Sequence, residues 1–196
     1  MNANSEPQLA PPGAGLPKLE LFIGQMLSAL KRRFGSRKSF NAEFNRERAR
    51  IRQLVRSCDS DLLARRVLIA RALGMEDSSR NWSVLMTLDH LRIVHREMAR
   101  VIGDLTDGKM PTGTASTAAV KPGPQVTADV IAEYEKSCDA LLATVAAATS
   151  LKTHLRFAHP WFGPMDAHGW HALAAGHLGI HRVQIERICA GLRLAK

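Results

Sequence analysis

Residues 171–188 read "HALAAGHLGIHRVQIERI" and contain two histidines, His177 and His181, four positions apart. The stretch belongs to a predicted final helix that opens at Asp166 and ends near Ala190. Residues four apart in an α-helix share one face. Here that face also carries the apolar residues of the helix. Both imidazoles are therefore predicted to point into the core of a helical protein rather than into solvent.

Two adjacent buried imidazoles need compensation for the water that their ring nitrogens lose. A divalent cation would supply it, because neutral imidazole is a good metal ligand and this spacing brings two nitrogens to one ion. The alternative is that each ring hydrogen-bonds a carbonyl and binds no metal. The pair alone leaves both interpretations open.

A third metal ligand would have to come from another helix. The predicted helix over residues 82–105 offers two histidines, His90 and His95. A helical projection places His95 near the centre of the apolar stripe and His90 at its edge, beside Val94. Periodicity therefore slightly favours His95 as the third ligand and excludes neither residue.

The whole chain predicts an all-α protein. Apolar residues recur at helical spacing, aromatic residues make up only 5% of the sequence, and no segment predicts a strand with conviction. The predicted helices cover residues 18–34, 39–58, 62–74, 82–105, 128–149 and 166–190. Residues 106–125 are rich in proline, glycine and small polar residues and predict a long irregular connection. One long connection among short ones suits a four-helix bundle with a crossover.

The chain is predicted to form one folded domain with an extension at its N-terminal side. Residues 1–16 lack periodicity and are predicted to be a disordered tail. Residues 17–38 are predicted to form an accessory helix, and residues 39–192 the bundle.

The composition of the chain indicates which partners and which compartment to expect. Lysine and arginine exceed aspartate and glutamate by nine, which favours anionic partners. Cys58, Cys138 and Cys189 are odd in number and form no Cys-x-x-Cys pair, so we expect a reducing cytoplasm. We find neither a signal-peptide pattern nor an apolar run of about 20 residues, and therefore expect no membrane contact.

Several catalytic motifs are absent from the sequence. It contains no His-Glu-x-x-His, no Glu-x-x-His, no glycine-rich phosphate loop and no Gly-x-Ser-x-Gly. Asp89, Glu97 and Gln184 lie near the histidines along the chain, but no spacing marks one of them as a general base. The catalytic residues are left unassigned.

Residues 31–56, "KRRFGSRKSFNAEFNRERARIRQLVR", are densely basic and contain Phe34, Phe40 and Phe44. They suggest an alternative function, a non-enzymatic module that binds nucleic acid or another anionic partner. The competing interpretation is a solvated helix face whose phenylalanines pack on the bundle. We favour the second interpretation, because no motif that reads bases is present.

Two stretches resemble a known family when they are taken together. "NWSVLMTLDHL" (81–91) combines a Trp-Ser helix start with a later His-Leu, and residues 159–188, "HPWFGPMDAHGWHALAAGHLGIHRVQIERI", contain His-x-x-x-His followed by glutamine. This order resembles the DinB-like and YfiT-like four-helix bundles that bind metal, over about residues 40–190.

The resemblance implies a divalent metal held by a histidine triad of His90, His177 and His181. It thus selects His90 where periodicity leaned towards His95. Zinc and nickel are the expected ions, although imidazole also suits copper and iron. A centre with three histidines keeps an open position, as catalytic sites do.

The resemblance also implies an activity and an assembly. Several family members are metal-dependent thiol S-transferases or related isomerases that use low-molecular-weight thiols, and members often form homodimers. We therefore expect a transferase, or a hydrolase, acting on a small molecule. Residues 1–38 depart from the family pattern, so the resemblance does not carry the family's dimer contacts or pocket access over to this chain.

Overall fold

The computed structural model describes residues 7–194 and contains five α-helices within them. The helices are α1 (Lys18–Phe34), α2 (Arg37–Ser57), α3 (Val84–Thr106), α4 (Val130–Ala147) and α5 (Ala167–Leu194). Four short strands form two antiparallel pairs, which are β1 (Val67–Leu68) with β2 (Asn81–Trp82) and β3 (Phe157–His159) with β4 (Gly163–Met165). The predicted all-α fold is confirmed.

Helices α2 to α5 form the bundle, and α1 lies outside it. Helix α3 packs on α4 and α5, and α2 packs on α5. The core contains fully buried side chains from all four bundle helices, for example Phe44, Leu88, Leu141 and Ile185. In contrast, α1 buries none of its residues and contacts the bundle mainly through α5. The extra N-terminal helix is therefore an accessory to a core that is complete without it.

Serine side chains fix where two of the bundle helices begin. The Ser36 hydroxyl accepts from the Ser39 amide at 3.2 Å, and the Ser39 hydroxyl accepts from the Ser36 amide at 2.8 Å, which is a capping box. Helix α2 thus starts at Arg37, two residues before the predicted start at residue 39. Ser83 caps α3 through the Met86 amide at 3.1 Å.

The predicted helix over residues 62–74 is wrong. A turn of 3-10 helix at Ser60–Leu62 leads into β1, and the pairing continues where the Ile69 amide donates to the Arg80 carbonyl at 3.1 Å. The apolar residues follow this pairing and not a helical period, because tertiary contacts outweigh local propensity in a short segment. The prediction that no strand forms is wrong for the same reason.

The connection between α3 and α4, residues 107–129, is the predicted crossover. It runs back along α3, and the Gly123 amide donates to an Asp89 carboxylate oxygen at 3.2 Å. Lys121 of the same connection contacts Glu76 at 2.6 Å. This connection therefore closes one side of the bundle.

The segment before α1 also contacts the bundle. The amides of Gly13 and Gly15 each lie 3.3 Å from a Glu76 carboxylate oxygen, and the Ala10 amide donates to Asp77 at 2.8 Å. The sequence predicts a disordered tail over residues 1–16, of which residues 1–6 lie outside the described part. Residues 10–15 are instead held by hydrogen bonds.

Candidate metal centre

Three histidine rings converge between α3 and α5. His90 comes from α3, and His177 and His181 come from α5. The Nε2 atom of His177 lies 3.3 Å from Nε2 of His90 and 3.1 Å from Nε2 of His181. One ring nitrogen from each residue falls within a common 4.8 Å. Tetrahedral ligands at about 2.0–2.1 Å from one ion would be about 3.3 Å apart, so these spacings fit a metal centre.

Two of these rings have their tautomer fixed by an oxygen on the far side. His90 Nδ1 donates to the Val120 carbonyl at 2.6 Å, and His181 Nδ1 donates to Gln184 Oε1 at 2.6 Å. A carbonyl oxygen can only accept, so each Nδ1 carries the proton. Both Nε2 atoms therefore present lone pairs towards the third ring, His177.

The three rings have too few N–H donors to satisfy all the ring nitrogens that face one another. The ring of His177 can donate from Nε2 to only one of the two lone pairs that face it, and its own Nδ1 is buried without a partner in the described part of the chain. A divalent cation at the meeting point would satisfy all three Nε2 atoms at once. The residues present thus fit a metal ion.

Burial also sets the protonation state of the cluster. It lowers the pKa of His90 to about 4, and it lowers the pKa values of His177 and His181 well below their ordinary range. All three rings are therefore neutral at pH 7. Neutral imidazole is the form that binds metal, so no proton has to leave the rings on binding at this pH.

Residues from outside the two helices complete the surroundings. The Trp82 ring, in β2, lies 5.2 Å from the His90 ring and stacks 6.4 Å from the His181 ring. Lys121 Nζ lies 5.5 Å from the centre of the same indole. Sequence reasoning did not find the roles of Val120 and Lys121, because the crossover has no periodicity that would show which of its atoms face α3.

Gln184 links the centre to the chain before β2. Besides accepting from His181, it donates from Nε2 to the Ser79 carbonyl at 2.7 Å and is fully buried. This second contact fixes which end of the amide faces the imidazole. In the sequence, only the position of Gln184 after the His-x-x-x-His pair indicated this role.

We predict that Gln184→Leu lowers metal affinity about 10–100-fold, because partners of this kind orient the liganding ring. Gln184→Glu is the matched control, since its carboxylate can still accept from His181 Nδ1. It should lose much less affinity, although it gives up the donor to Ser79. Zinc titration against a competing chelator dye measures both variants. Equal losses in the two variants would contradict this role.

His95 lies apart from the cluster. Its ring is fully buried, its Nδ1 lies 3.3 Å from the Ser137 hydroxyl, and it packs against Phe44 and Tyr134. Between the two residues that periodicity left open, the structure thus brings His90 to the pair on α5. That the three histidines bind metal stays a prediction.

We expect His95 to make the metal-free protein sensitive to acid. Burial lowers its pKa to about 3, so the unfolded chain binds this proton first as the pH falls below about 6.5. The stability that the buried neutral ring contributes is therefore fully present above that pH and is lost on acidification. Between pH 7 and pH 5 the loss is about 2 kcal/mol in the free energy of unfolding. His95→Leu should shrink the pH dependence by that amount in urea titrations, and an unchanged slope would contradict it.

The centre opens into a large cavity. The cavity has a volume of about 1380 Å³ and lies between α1, α3, α5 and the crossover. All three histidines line it. An ion on the three rings would therefore face a space large enough for a substrate.

The carboxylates considered near the centre are already engaged. Asp89 accepts from Arg92 at 2.6 Å and from the Gly123 amide. Glu97 pairs with Arg100, and both residues line the cavity. Neither arrangement singles out a general base.

One face of the basic segment, residues 31–56, packs on the bundle. Phe40 and Phe44 are buried, while Phe34 is exposed. Arg48 pairs with Glu135 and Asp139 on α4, and Arg52 also pairs with Glu135. These contacts favour the interpretation of a helix face packed on the bundle over that of a nucleic-acid site.

Fold and site together define a class of protein, a four-helix bundle with a buried histidine cluster able to hold a metal ion. The chain belongs to the DinB superfamily, whose sequence profile matches residues 43–185. The predicted family is confirmed.

A solved structure agrees with this architecture. The chain is similar to TT2238, a four-helix bundle protein known from its crystal structure, with 23% identity and a TM-score of 0.56. The match covers 76% of this chain and 97% of that one, and it supports the fold alone. No curated protein matches the chain. Within residues 7–194, none of the helices has the length and apolar character needed to cross a membrane.

Proposed function

We propose that the protein is a metal-dependent thiol S-transferase acting on a small molecule, with zinc or nickel held by His90, His177 and His181. The observation that carries the proposal is the meeting of three Nε2 atoms at the wall of a cavity. The described residues offer three ligands and no fourth at this point. This leaves a coordination position for a substrate, as in catalytic centres.

The chemistry needs both an ion and a shaped protein environment. A divalent ion supplies Lewis acidity, which favours the deprotonated form of a thiol or water at neutral pH. The protein's own contribution is to orient the liganding rings and to shield one side of the cluster from water. Val120 and Gln184 hold two rings in the liganding tautomer, and the Trp82 indole covers one side of the cluster.

A conjugation assay tests the proposal. Zinc- or nickel-loaded protein is mixed with glutathione, cysteine or coenzyme A and with chlorodinitrobenzene. In the reaction, the sulfur–carbon bond forms, chloride leaves, and the thiol proton passes to solvent. We expect acceleration by the wild type and none by His177→Ala/His181→Ala. Equal rates for the two proteins with every thiol would overturn the proposal. Release of nitrophenol from nitrophenyl esters instead would favour the hydrolase.

Two further expectations accompany this function. The resemblance to dimeric family members leads us to propose a homodimer, which light scattering on the eluting protein tests. The three cysteines, which form no disulfide in the described part of the chain, lead us to propose a reducing compartment, the cytoplasm.

A further inference from the structure

The cavity over the histidines is larger than a small thiol requires. Pockets for small molecules typically measure about 300–1,000 Å³, and this one measures about 1380 Å³. Residues of α1, the helix outside the bundle core, form one wall of this cavity. What the space can hold therefore depends on the face that α1 turns towards it.

That face carries an apolar stripe beside the polar residues Glu20, Ser28 and Lys31. Leu19, Ile23 and Leu27 follow one another at single-turn spacing and line the cavity. They remain 71%, 47% and 61% exposed, so their side chains border space that no protein atom fills. The opposite wall is also mainly apolar and includes Met98, Leu173, Ile180 and Phe162.

Charged groups at the cavity wall are already paired within the protein. Glu20 of α1 binds Arg71 and also accepts from the Gly74 amide at 2.6 Å. Lys121 binds Glu76. A substrate with a highly charged body would meet few uncommitted partners here, whereas an apolar chain would meet a matching surface.

Polar contacts hold α1 across the opening. Gln25 Nε2 donates to the Trp161 carbonyl at 2.7 Å, and His168 Nε2 donates to the Arg32 carbonyl at 3.1 Å. The helix is thus fastened by polar contacts near its start, middle and end, while its apolar stripe faces the cavity. This is the arrangement of a cover over an apolar ligand.

We propose that the substrate carries an elongated aliphatic chain, which lies between α1 and the bundle while its polar head reaches the histidines. The inference rests on the proposed function for the head group alone. The chain itself is recognised by the stripe formed by Leu19, Ile23 and Leu27. Each methylene that is fully buried should raise affinity about fourfold.

Alkyl hydroxamic acids test the inference, because the head binds metal and the chain can be varied. Acetyl, butyryl, octanoyl and dodecanoyl hydroxamic acids are titrated below their micelle concentrations, with zinc-loaded and with chelated protein. Affinity should rise with chain length in the wild type. Ile23→Gln and Leu27→Gln should flatten that rise, and Met26→Gln, on the same helix but away from the cavity, should not.

The outcomes separate the two proposals. If the acetyl compound binds as tightly as the dodecanoyl compound, the inference of an aliphatic chain is overturned, whether or not zinc affects binding. If affinity rises with length and Ile23→Gln flattens it, but zinc adds nothing, the inference stands and the proposed metal function fails. A loss for Met26→Gln equal to that for Ile23→Gln would also overturn the inference, because the effect would then be a general one on α1.

A second inference comes from a separate place, the end of α2. The Sγ atoms of Cys58 and Cys189 lie 2.9 Å apart, although both residues are free thiols and stand 131 positions apart in sequence. Cys189 is buried in α5, and Cys58 is partly exposed. We infer that the two form a reversible disulfide under oxidation by a peroxide. The Sγ–Sγ bond forms, and hydrogen peroxide takes two electrons and the two thiol protons to become water.

Mass spectrometry of the peroxide-treated protein tests this pair. We expect a product two mass units lighter, a peptide linking Cys58 to Cys189, and one remaining reactive thiol, Cys138, after unfolding. Dithiothreitol should restore all three thiols. Cys58→Ser should give no such loss of mass. Addition of oxygen to either cysteine without a linked peptide would overturn the inference.

Discussion

His90→Leu should remove the metal from this protein, and His95→Leu should leave it in place. The two residues lie on the same helix and are both buried, yet only His90 directs a ring nitrogen at the pair on α5. Loss of one of three ligands should lower zinc affinity by more than about a hundredfold, since even an outer partner contributes 10–100-fold. Metal content by emission spectroscopy and chelator competition on tag-free protein measure both variants.

The two substitutions are matched, so they separate a lost ligand from a disturbed core. His177→Ala/His181→Ala gives the reference for an empty site. Metal loss in His95→Leu with retention in His90→Leu would assign the third ligand to His95, as periodicity alone had leaned. A wild type with no more metal than the double variant, even after incubation with zinc or nickel, would remove the centre altogether.

Lys121→Met should destabilise the fold and loosen the centre at the same time. Lys121 lies 2.6 Å from the buried Glu76 carboxylate and also reaches the Ser78 and Ser79 hydroxyls at 3.0 and 3.1 Å. Burial raises the pKa of Glu76, but the hydrogen bonds from Lys121 and its neighbours outweigh burial and keep it below the ordinary value. Without Lys121, the carboxylate stays buried with its main counter-charge gone.

The expected cost is about 3 kcal/mol in the free energy of unfolding, at the low end for breaking a buried pair because Lys121 is partly exposed. Zinc affinity should fall as well, since the adjacent residue, Val120, supplies the oxygen for His90. Lys109→Met is the matched control, because that lysine is an exposed residue of the same connection, and it should change neither quantity. Urea unfolding and zinc titration measure both.

A double variant tests whether charge is the cause. Glu76→Gln/Lys121→Met removes the buried negative charge together with its partner, and it should recover much of the lost stability. Failure to recover would mean that packing of the Lys121 stem, and not the ion pair, holds the crossover.

The sequence predicted the elements that repeat with a regular period. Helix α1 begins and ends at the predicted residues, and the positions of His177 and His181 follow from their spacing on α5. The third histidine did not follow from periodicity, because an edge position on a helix can face either a neighbouring helix or a loop. Only the resemblance selected His90.

The parts that could not be predicted depend on contacts between distant segments. The stretch from residue 62 to residue 74 has the composition of a helix, but β2 and the Arg80 carbonyl pair with it instead. Glu76 and Val120 were unremarkable in the sequence, since nothing local shows that one would bind the tail and the other an imidazole. Irregular segments acquire their roles from what lies next to them.

One consequence concerns the order in which the centre matures. The oxygen that sets the tautomer of His90 belongs to the crossover, the longest irregular connection in the described chain, while the other two rings sit on a single helix. The four helices could pack with this connection still undocked, and the ring of His90 would then lack the contact that fixes its liganding tautomer. Tight zinc capture would in that case mark the last stage of folding, and refolding followed by metal uptake would lag behind refolding followed by helix content.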